Sequence, residues 1–417
     1  MPRWPRASGS NLDFRDGCQR LATNESGKDD ALERRARERN NKMPRALTLL
    51  LALAALSCSS KVDLNQPLVE SSPNPTVVGT VREGVGHIAV DTDRLYWTAL
   101  PTRNGGVGGT WSLRSCLKEN CAATVITYDT QSSAQDILFG VAGASIYWFR
   151  DIDQKALYAA GNMTLMTSPI AGGAAQVMAT VDAVELAVFD ADRVYVSTSN
   201  GVQAISLTGA GAPVQLIGPP LETSHVLALA AGGDYLYWLS GGTVDTPAAA
   251  ASLYRLRNDG TSTPEMLASD LEINADYGYT LPGLAVDSTS VYWTQSVLAG
   301  SVDRCPLAGC VGAPEVVVGP IRSPEALLID GSTLYLRYEA DAYQYVLASC
   351  TIGQCTSPQP IAQGSDTACK AETETTCGPT ESMAVDDQYL YAVTTDQDLH
   401  SDSAQQNPVA QIRRFPK

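Results

Sequence analysis

Three observations predict an all-β chain folded as a seven-bladed β-propeller of four-stranded antiparallel blades, with an N-terminal strand completing the last blade. A strand–turn–strand unit, clearest as Leu284-Ala285-Val286-Asp287-Ser288-Thr289-Ser290-Val291-Tyr292-Trp293-Thr294, recurs seven times. Its apolar residues are β-branched or aromatic and its glycine and proline punctuation is dense, which argues against stacked helices. The last unit lacks a fourth strand, while a spare strand-like segment precedes the first.

The tyrosine of each second strand anchors the unit. Tyr96, Tyr147, Tyr195, Tyr237, Tyr292, Tyr335 and Tyr391 are spaced by 51, 48, 42, 55, 43 and 56 residues, the period of propeller blades. First strands are apolar throughout, as in His87-Ile88-Ala89-Val90 or Met383-Ala384-Val385. That suits an inner position packed on both faces by neighbouring blades. Five residues before the anchor stands Asp91, Asp190, Asp287, Asp330 or Asp386, replaced by Ala142 and Gly232 in units two and four. Each is read as a turn residue whose carboxylate accepts backbone N–H bonds. A calcium ring is the competing reading, but the aspartates belong to separate turns and do not converge.

Trp97, Trp148, Trp238 and Trp293 follow the anchor in four units. Adjacent strand residues point to opposite sheet faces, so each Tyr-Trp pair is placed to pack against both neighbouring blades. Third strands follow, such as Ser252-Leu253-Tyr254-Arg255-Leu256-Arg257 before the turn Asn258-Asp259-Gly260. Fourth strands include residues 264–268 and 314–318. Unit seven supplies strands at 382–385, 389–395 and 410–415, then the chain stops at Lys417. Thr76-Val77-Val78-Gly79-Thr80-Val81, preceded by Pro75, matches the fourth strands elsewhere and is expected to pair with that last edge. Left unpaired, the edge would expose a row of backbone donors and acceptors.

On these residues the repeat resembles the YWTD-type β-propeller blade of the low-density lipoprotein receptor class, whose blade pattern also occurs in many bacterial cell-envelope lipoproteins. The resemblance covers Pro75 to Lys417. Two units read Tyr-Trp-Thr, and Ala99 or Gln295 stands where the motif ends in aspartate. It implies the propeller and an envelope setting and does not name a ligand.

Upstream, Met43-Pro44-Arg45 precedes the apolar run Ala46 to Leu56, too short to span a bilayer but suited to a secretory signal over 43–57. Ala55-Leu56-Ser57-Cys58 resembles a bacterial lipobox, which implies lipidation at Cys58; a plain secreted protein cleaved nearby is the alternative. Ser59 after the cysteine, by the same resemblance, implies the outer membrane. Residues 1–42, polar and containing Arg34-Arg35-Ala36-Arg37-Glu38-Arg39, are read as a leader upstream of the true start at Met43, with a basic helical extension as the alternative. Residues 58–74 read as a polar tether, and 75–417 as the propeller.

Net charge is −16. Setting aside the 11 Lys/Arg and 7 Asp/Glu up to Ser57 leaves 18 against 38, a net of −20 for the remainder. Such a surface repels phosphate backbones, so nucleic acid is not expected as a partner.

Ten cysteines are present. With Cys18 in the leader and Cys58 assigned to lipid, eight remain. Cys116/Cys121, Cys305/Cys310 and Cys350/Cys355 each straddle the turn between third and fourth strands, within disulfide reach across a hairpin. Cys369/Cys377 closes an acidic loop before the last unit. Zinc is the other reading of paired cysteines, but separate blade edges do not bring four ligands together. Four disulfides and an oxidising compartment are expected.

Chemistry-bearing motifs are few. Gly105-Gly106-Val107-Gly108-Gly109 joins two strands and reads as a hairpin loop rather than a phosphate cradle. Asp396, Asp398 and Asp402 lack the glycine and closing glutamate of an EF-hand loop and read as a solvated loop. Ten residues before their anchors stand Glu185, Glu325 and Glu381, and His87 stands nine before its own. Glu325, Glu381 and His87, on the adjacent blades six, seven and one, are expected to line one side of the channel entrance. There they would bind a cation or a ligand or do acid–base work, unless they are merely solvated strand ends. The sequence thus predicts an extracytoplasmic lipoprotein whose propeller binds a protein, peptide or glycan without catalysis and without a cofactor. A propeller hydrolase or lyase acting at the channel mouth and an envelope-assembly scaffold are the alternatives.

Overall fold

The computed structural model describes residues 76–81, 84–100, 111–131, 137–151, 162–209, 211–218, 225–241, 250–273, 282–341, 344–365, 382–395 and 410–417. Within them the chain forms seven four-stranded antiparallel sheets, each built from one sequence unit. Six blades run in chain order from inner to outer strand. In the seventh, Thr76–Val81 lies outside Ala410–Pro416, followed inward by Tyr389–Thr395 and Met383–Val385. Thr76 pairs with Arg414, Thr80 with Gln411 and Val81 with Ala410, so the expected joining of the two ends of the repeat array within one blade is observed. Each inner strand adjoins the next in cyclic order, and that of blade seven adjoins that of blade one.

The core is divided into seven clusters, one at each seam between blades. Strand alternation explains this division, since successive side chains leave a blade on opposite faces. Every anchor tyrosine faces the following blade, as Tyr96 does beside Ile146 and Trp148 of blade two. Every tryptophan after an anchor faces the preceding blade, as Trp293 does in the cluster with Tyr237 and Leu239 of blade four. Trp148 and Trp293 are fully buried. Removing about 200 Å² of such a ring from water contributes at most about 5 kcal/mol.

The turns between first and second strands come in two kinds. In blades one, three, five and seven a four-residue connection opens with aspartate. Asp91 Oδ1 accepts the N–H groups of Asp93 and Arg94, and Oδ2 accepts the Tyr96 hydroxyl. Asp190, Asp287 and Asp386 repeat this with Tyr195, Tyr292 and Tyr391. The five-residue interval between aspartate and tyrosine is therefore a side-chain bond as well as a turn. Blades two, four and six instead use a two-residue connection with Gly143, Gly233 or Gly331 at φ near +57°. A Cβ is disfavoured there, which glycine avoids. Asp330 precedes Gly331 and so forms no such turn; its carboxylate pairs with Lys417.

The residue after each third strand ties the two turns of its blade together. Lys118, Ile170, Leu207, Asn258, Leu307, Ile352 and Lys417 all donate their N–H to a carbonyl of the first turn. Every pairing between third and fourth strands is interrupted by a register shift. Bulges of that kind spoil an outer edge as a template for another chain.

Cys116–Cys121, Cys305–Cys310 and Cys350–Cys355 are bonded, with Cα separations of 4.7, 5.1 and 5.3 Å. Cys369 and Cys377 lie outside the described residues, as do Cys18 and Cys58. Reducing the purified 75–417 segment is expected to add two hydrogens for each of four bridges in an intact-mass measurement. Free thiols before reduction would contradict the pairing. Among the described residues no helix is long and apolar enough to cross a membrane.

Candidate functional site

The inner strands enter the channel through irregular pairings, and the candidate residues sit in them. His87 lies in the register shift between Val85 and Ile88, Glu185 in that between Val184 and Leu186, and Glu325 in that between Pro324 and Ala326. A bulged residue leaves the ladder, so its side chain is re-aimed. His87 and Glu185 are exposed. Glu325 is only 8% exposed. Its carboxylate stands 2.5 Å from Arg337 Nη1, and the Arg337 guanidinium lies 4.6 Å from the centre of the Tyr345 ring. Glu325 is therefore an element of blade six's internal packing rather than a solvated end. Glu381 lies outside the described residues, so the expected grouping of Glu325, Glu381 and His87 is represented by residues on blades six and one alone.

Two further buried carboxylates stand near the same ends of the strands. Asp129, on the fourth strand of blade one, accepts the Trp148 indole N–H at 2.6 Å and Arg150 Nε at 2.9 Å across the seam to blade two. Gln131 adds a bond at 3.1 Å, so this buried charge is saturated with donors. Asp303 of blade five is 3% exposed. It is held by Ser301 at 2.7 Å and by the Gln295 amide. Burial pushes its carboxyl above the ordinary range, against the lowering effect of those two bonds. Neither aspartate belongs to the repeated turn motif, so the pattern of the repeat does not mark them. Asp129 does lie in an isolated apolar–polar alternation, Ile126-Thr127-Tyr128-Asp129, facing a strand that carries both tryptophan and arginine.

At the opposite, turn-bearing end, a cleft of about 390 Å³ opens at the seam of blades seven and one. Asp91, Lys118, Glu119, Asp386, Asp387, Tyr389 and Arg414 line it. Lys118 is buried, and its ammonium meets Asp386 Oδ2 at 2.5 Å and the Thr92 carbonyl at 3.3 Å. Burial alone would raise the Asp386 carboxyl. The Lys118 ammonium, the N–H groups of Gln388 and Tyr389 and the Tyr391 hydroxyl outweigh it and hold the group at about 2. Because that pKa lies below the unfolded value of about 3.9, the stabilisation is present above pH 4 and is lost as pH falls from about 4 through 2. Acid titration of the fold is thus expected to show a component in that window that Asp386→Asn removes. An unchanged acid limb in the variant would contradict the assignment.

Among the described residues no cluster of three or more histidines, cysteines or carboxylates is arranged to hold a metal ion. No protein-family model matches the chain, and no curated protein matches it. Solved structures with similar folds include the β-propeller domain of the trilobed protease from Pyrococcus furiosus, described as having an open Velcro topology. It is 7% identical with a TM-score of 0.52, covering 80% of this chain and 97% of that one. The acylaminoacyl peptidase of Pyrococcus horikoshii is 8% identical with a TM-score of 0.51, covering 81% of this chain. This chain spans only 52% of that peptidase. An oligogalacturonate lyase in complex with manganese is 9% identical with a TM-score of 0.50, covering 83% and 98%. At such identities the likeness is one of fold: the chain is a seven-bladed β-propeller.

Proposed function

We propose that this propeller is a non-catalytic protein-binding module of the bacterial cell envelope, tethered through lipid on Cys58 to the outer membrane. The observation that carries the binding reading is the placement of exposed apolar side chains on the outermost strands. Val77, Val177, Met266 and Val316 occupy one equivalent row in blades seven, two, four and five, and are 41–66% exposed. Single exposed apolar residues are ordinary on soluble proteins; their recurrence at one row around the circumference favours contact with another protein. The candidate carboxylate Glu325 is already occupied by Arg337, which weakens the channel-mouth hydrolase or lyase as a competing reading. Three hairpin disulfides support an oxidising, extracytoplasmic setting, and the likeness of the blades to the YWTD type supports an envelope lipoprotein.

The test incubates purified 75–417 with glycan, peptide and envelope-protein panels and scores both binding and turnover. A protein or peptide ligand whose binding is lost in Val177→Glu/Met266→Glu/Val316→Glu supports the reading. Turnover abolished by His87→Ala/Glu381→Ala, which leaves the buried Glu325–Arg337 pair intact, would replace it with the enzyme. In cells, Cys58→Ser is expected to release the protein from membranes, and full retention would contradict the anchor.

A further inference from the structure

The propeller is held shut by more than the ladder between Thr76–Val81 and Ala410–Pro416. We propose that the disulfide-closed loop of residues 116–121 in blade one is a latch that fastens the N-terminal part of the ring to its C-terminal strands. The two bonded cysteines bracket Leu117, Lys118, Glu119 and Asn120. Two of these reach across the seam. The buried Lys118 ammonium binds Asp386 in the first turn of blade seven, and Glu119 accepts Arg414 Nη1, on the third strand of that blade, at 3.0 Å. Lys118 also lies 5.2 Å from the centre of the Tyr391 ring. Cys121 packs in the same cluster as Ala384, Tyr391 and Ile412 of blade seven. Its sulfur sits where a Cβ on Gly79 would come within 3.3 Å, so the bridge lies directly against the closing N-terminal strand.

Among the three bonded hairpins of the described residues, this loop alone carries charged side chains. The other two bonded hairpins enclose Pro306-Leu307-Ala308-Gly309 and Thr351-Ile352-Gly353-Gln354, which carry no charge. Position 118 is the residue after the third strand, which in blades two, three, five and six is an isoleucine or leucine. A lysine stands there only in blades one and seven, and Lys417 likewise pins blade seven to Asp330 of blade six. The blade made from both ends of the array is therefore gripped by an ion pair on each side. An exposed pair loses much of its value to the entropy of two long side chains and to screening. Bridging the loop removes part of that entropy, and burying Lys118 reduces the screening.

The experiment measures amide hydrogen exchange of the full chain over residues 76–81 and 410–416. Three variants are compared with the wild type: Cys116→Ser/Cys121→Ser, Cys350→Ser/Cys355→Ser, and Lys118→Met with every disulfide intact. The latch predicts exchange at both segments faster by about tenfold or more in the first and third variants, and unchanged in the second. Combining Lys118→Met with the loss of Cys116–Cys121 should accelerate exchange by less than the product of the separate effects, because both act on one device. Equal seam exchange in the two cysteine variants would overturn the proposal. So would wild-type exchange in Lys118→Met, which keeps the test decisive if the first variant does not fold.

Discussion

Deleting Asn74 to Val81 is expected to lower the melting temperature by on the order of 10 °C and to make the protein prone to aggregate. The segment supplies the whole outer strand of blade seven, with bonds from Thr76 through Val81 to Ala410–Pro416. Without it, the edge of Ala410–Pro416 is unpaired, and the cluster holding Val78 against Ile412 and Cys121 is opened. A loss above about 4 kcal/mol is exceptional for a single change and is reasonable for removing a strand at the one place where the ring is closed without a covalent link between successive strands. Scanning calorimetry and light scattering on the deletion variant check it. Unchanged melting and solubility would mean that the ring is held elsewhere.

Arg337→Leu should cost about 3–5 kcal/mol, because it removes the oppositely charged guanidinium that meets the buried Glu325 carboxylate. Replacing both, as Glu325→Leu/Arg337→Leu, should recover most of that loss, since the pair's own net contribution is small once its desolvation is counted. Chemical denaturation of the three proteins gives the comparison. If Arg337→Leu is as stable as wild type, Glu325 is not committed to the packing of blade six and regains its standing as a channel-mouth group.

The architecture was legible because it repeats. One strand–turn–strand unit carries its own period, its alternation and its turn residue, and seven copies make each assignment a test of the others. Strand closure was legible for a related reason: a third strand ending at Phe415 and Pro416 needed a partner, and Thr76-Val77-Val78 had the pattern of one. The function of the aspartates was legible only in part. Acceptance of turn N–H groups follows from the residue type, but the second oxygen's bond to a tyrosine five residues on needs the hairpin's geometry, as in Asp287 to Tyr292 at 2.8 Å. Asp330 departed from the rule because Gly331 selects the shorter turn, a signal present in the sequence.

The site was less legible than the fold because its contacts join residues far apart in the chain. Lys118 and Asp386 are 268 positions apart, and nothing local to either marks the other. Asp129 and Trp148 meet across a seam, in a register fixed by the packing of two blades. The buried indole N–H groups of Trp97, Trp238 and Trp293 have no partner among the described residues, so the same Tyr-Trp motif does not carry the same polar contact from blade to blade. Glu185 and Glu325 stand ten residues before their anchors, and His87 stands at the neighbouring position, nine before its own. All three lie in bulges, and whether a bulge releases a carboxylate to solvent or turns it onto an arginine depends on the neighbouring strand.

Thr80 and Gln411 lie directly opposite each other across the pairing that closes the ring. Replacing both, as Thr80→Cys/Gln411→Cys, and mapping disulfide-linked peptides under non-reducing conditions tests that closure most directly. The expected result is an intramolecular bridge between positions 80 and 411 in the monomer, with the protein retaining its fold. Free thiols at both positions, or a bridge found only between two chains, would contradict a seventh blade built from both ends of the repeat array.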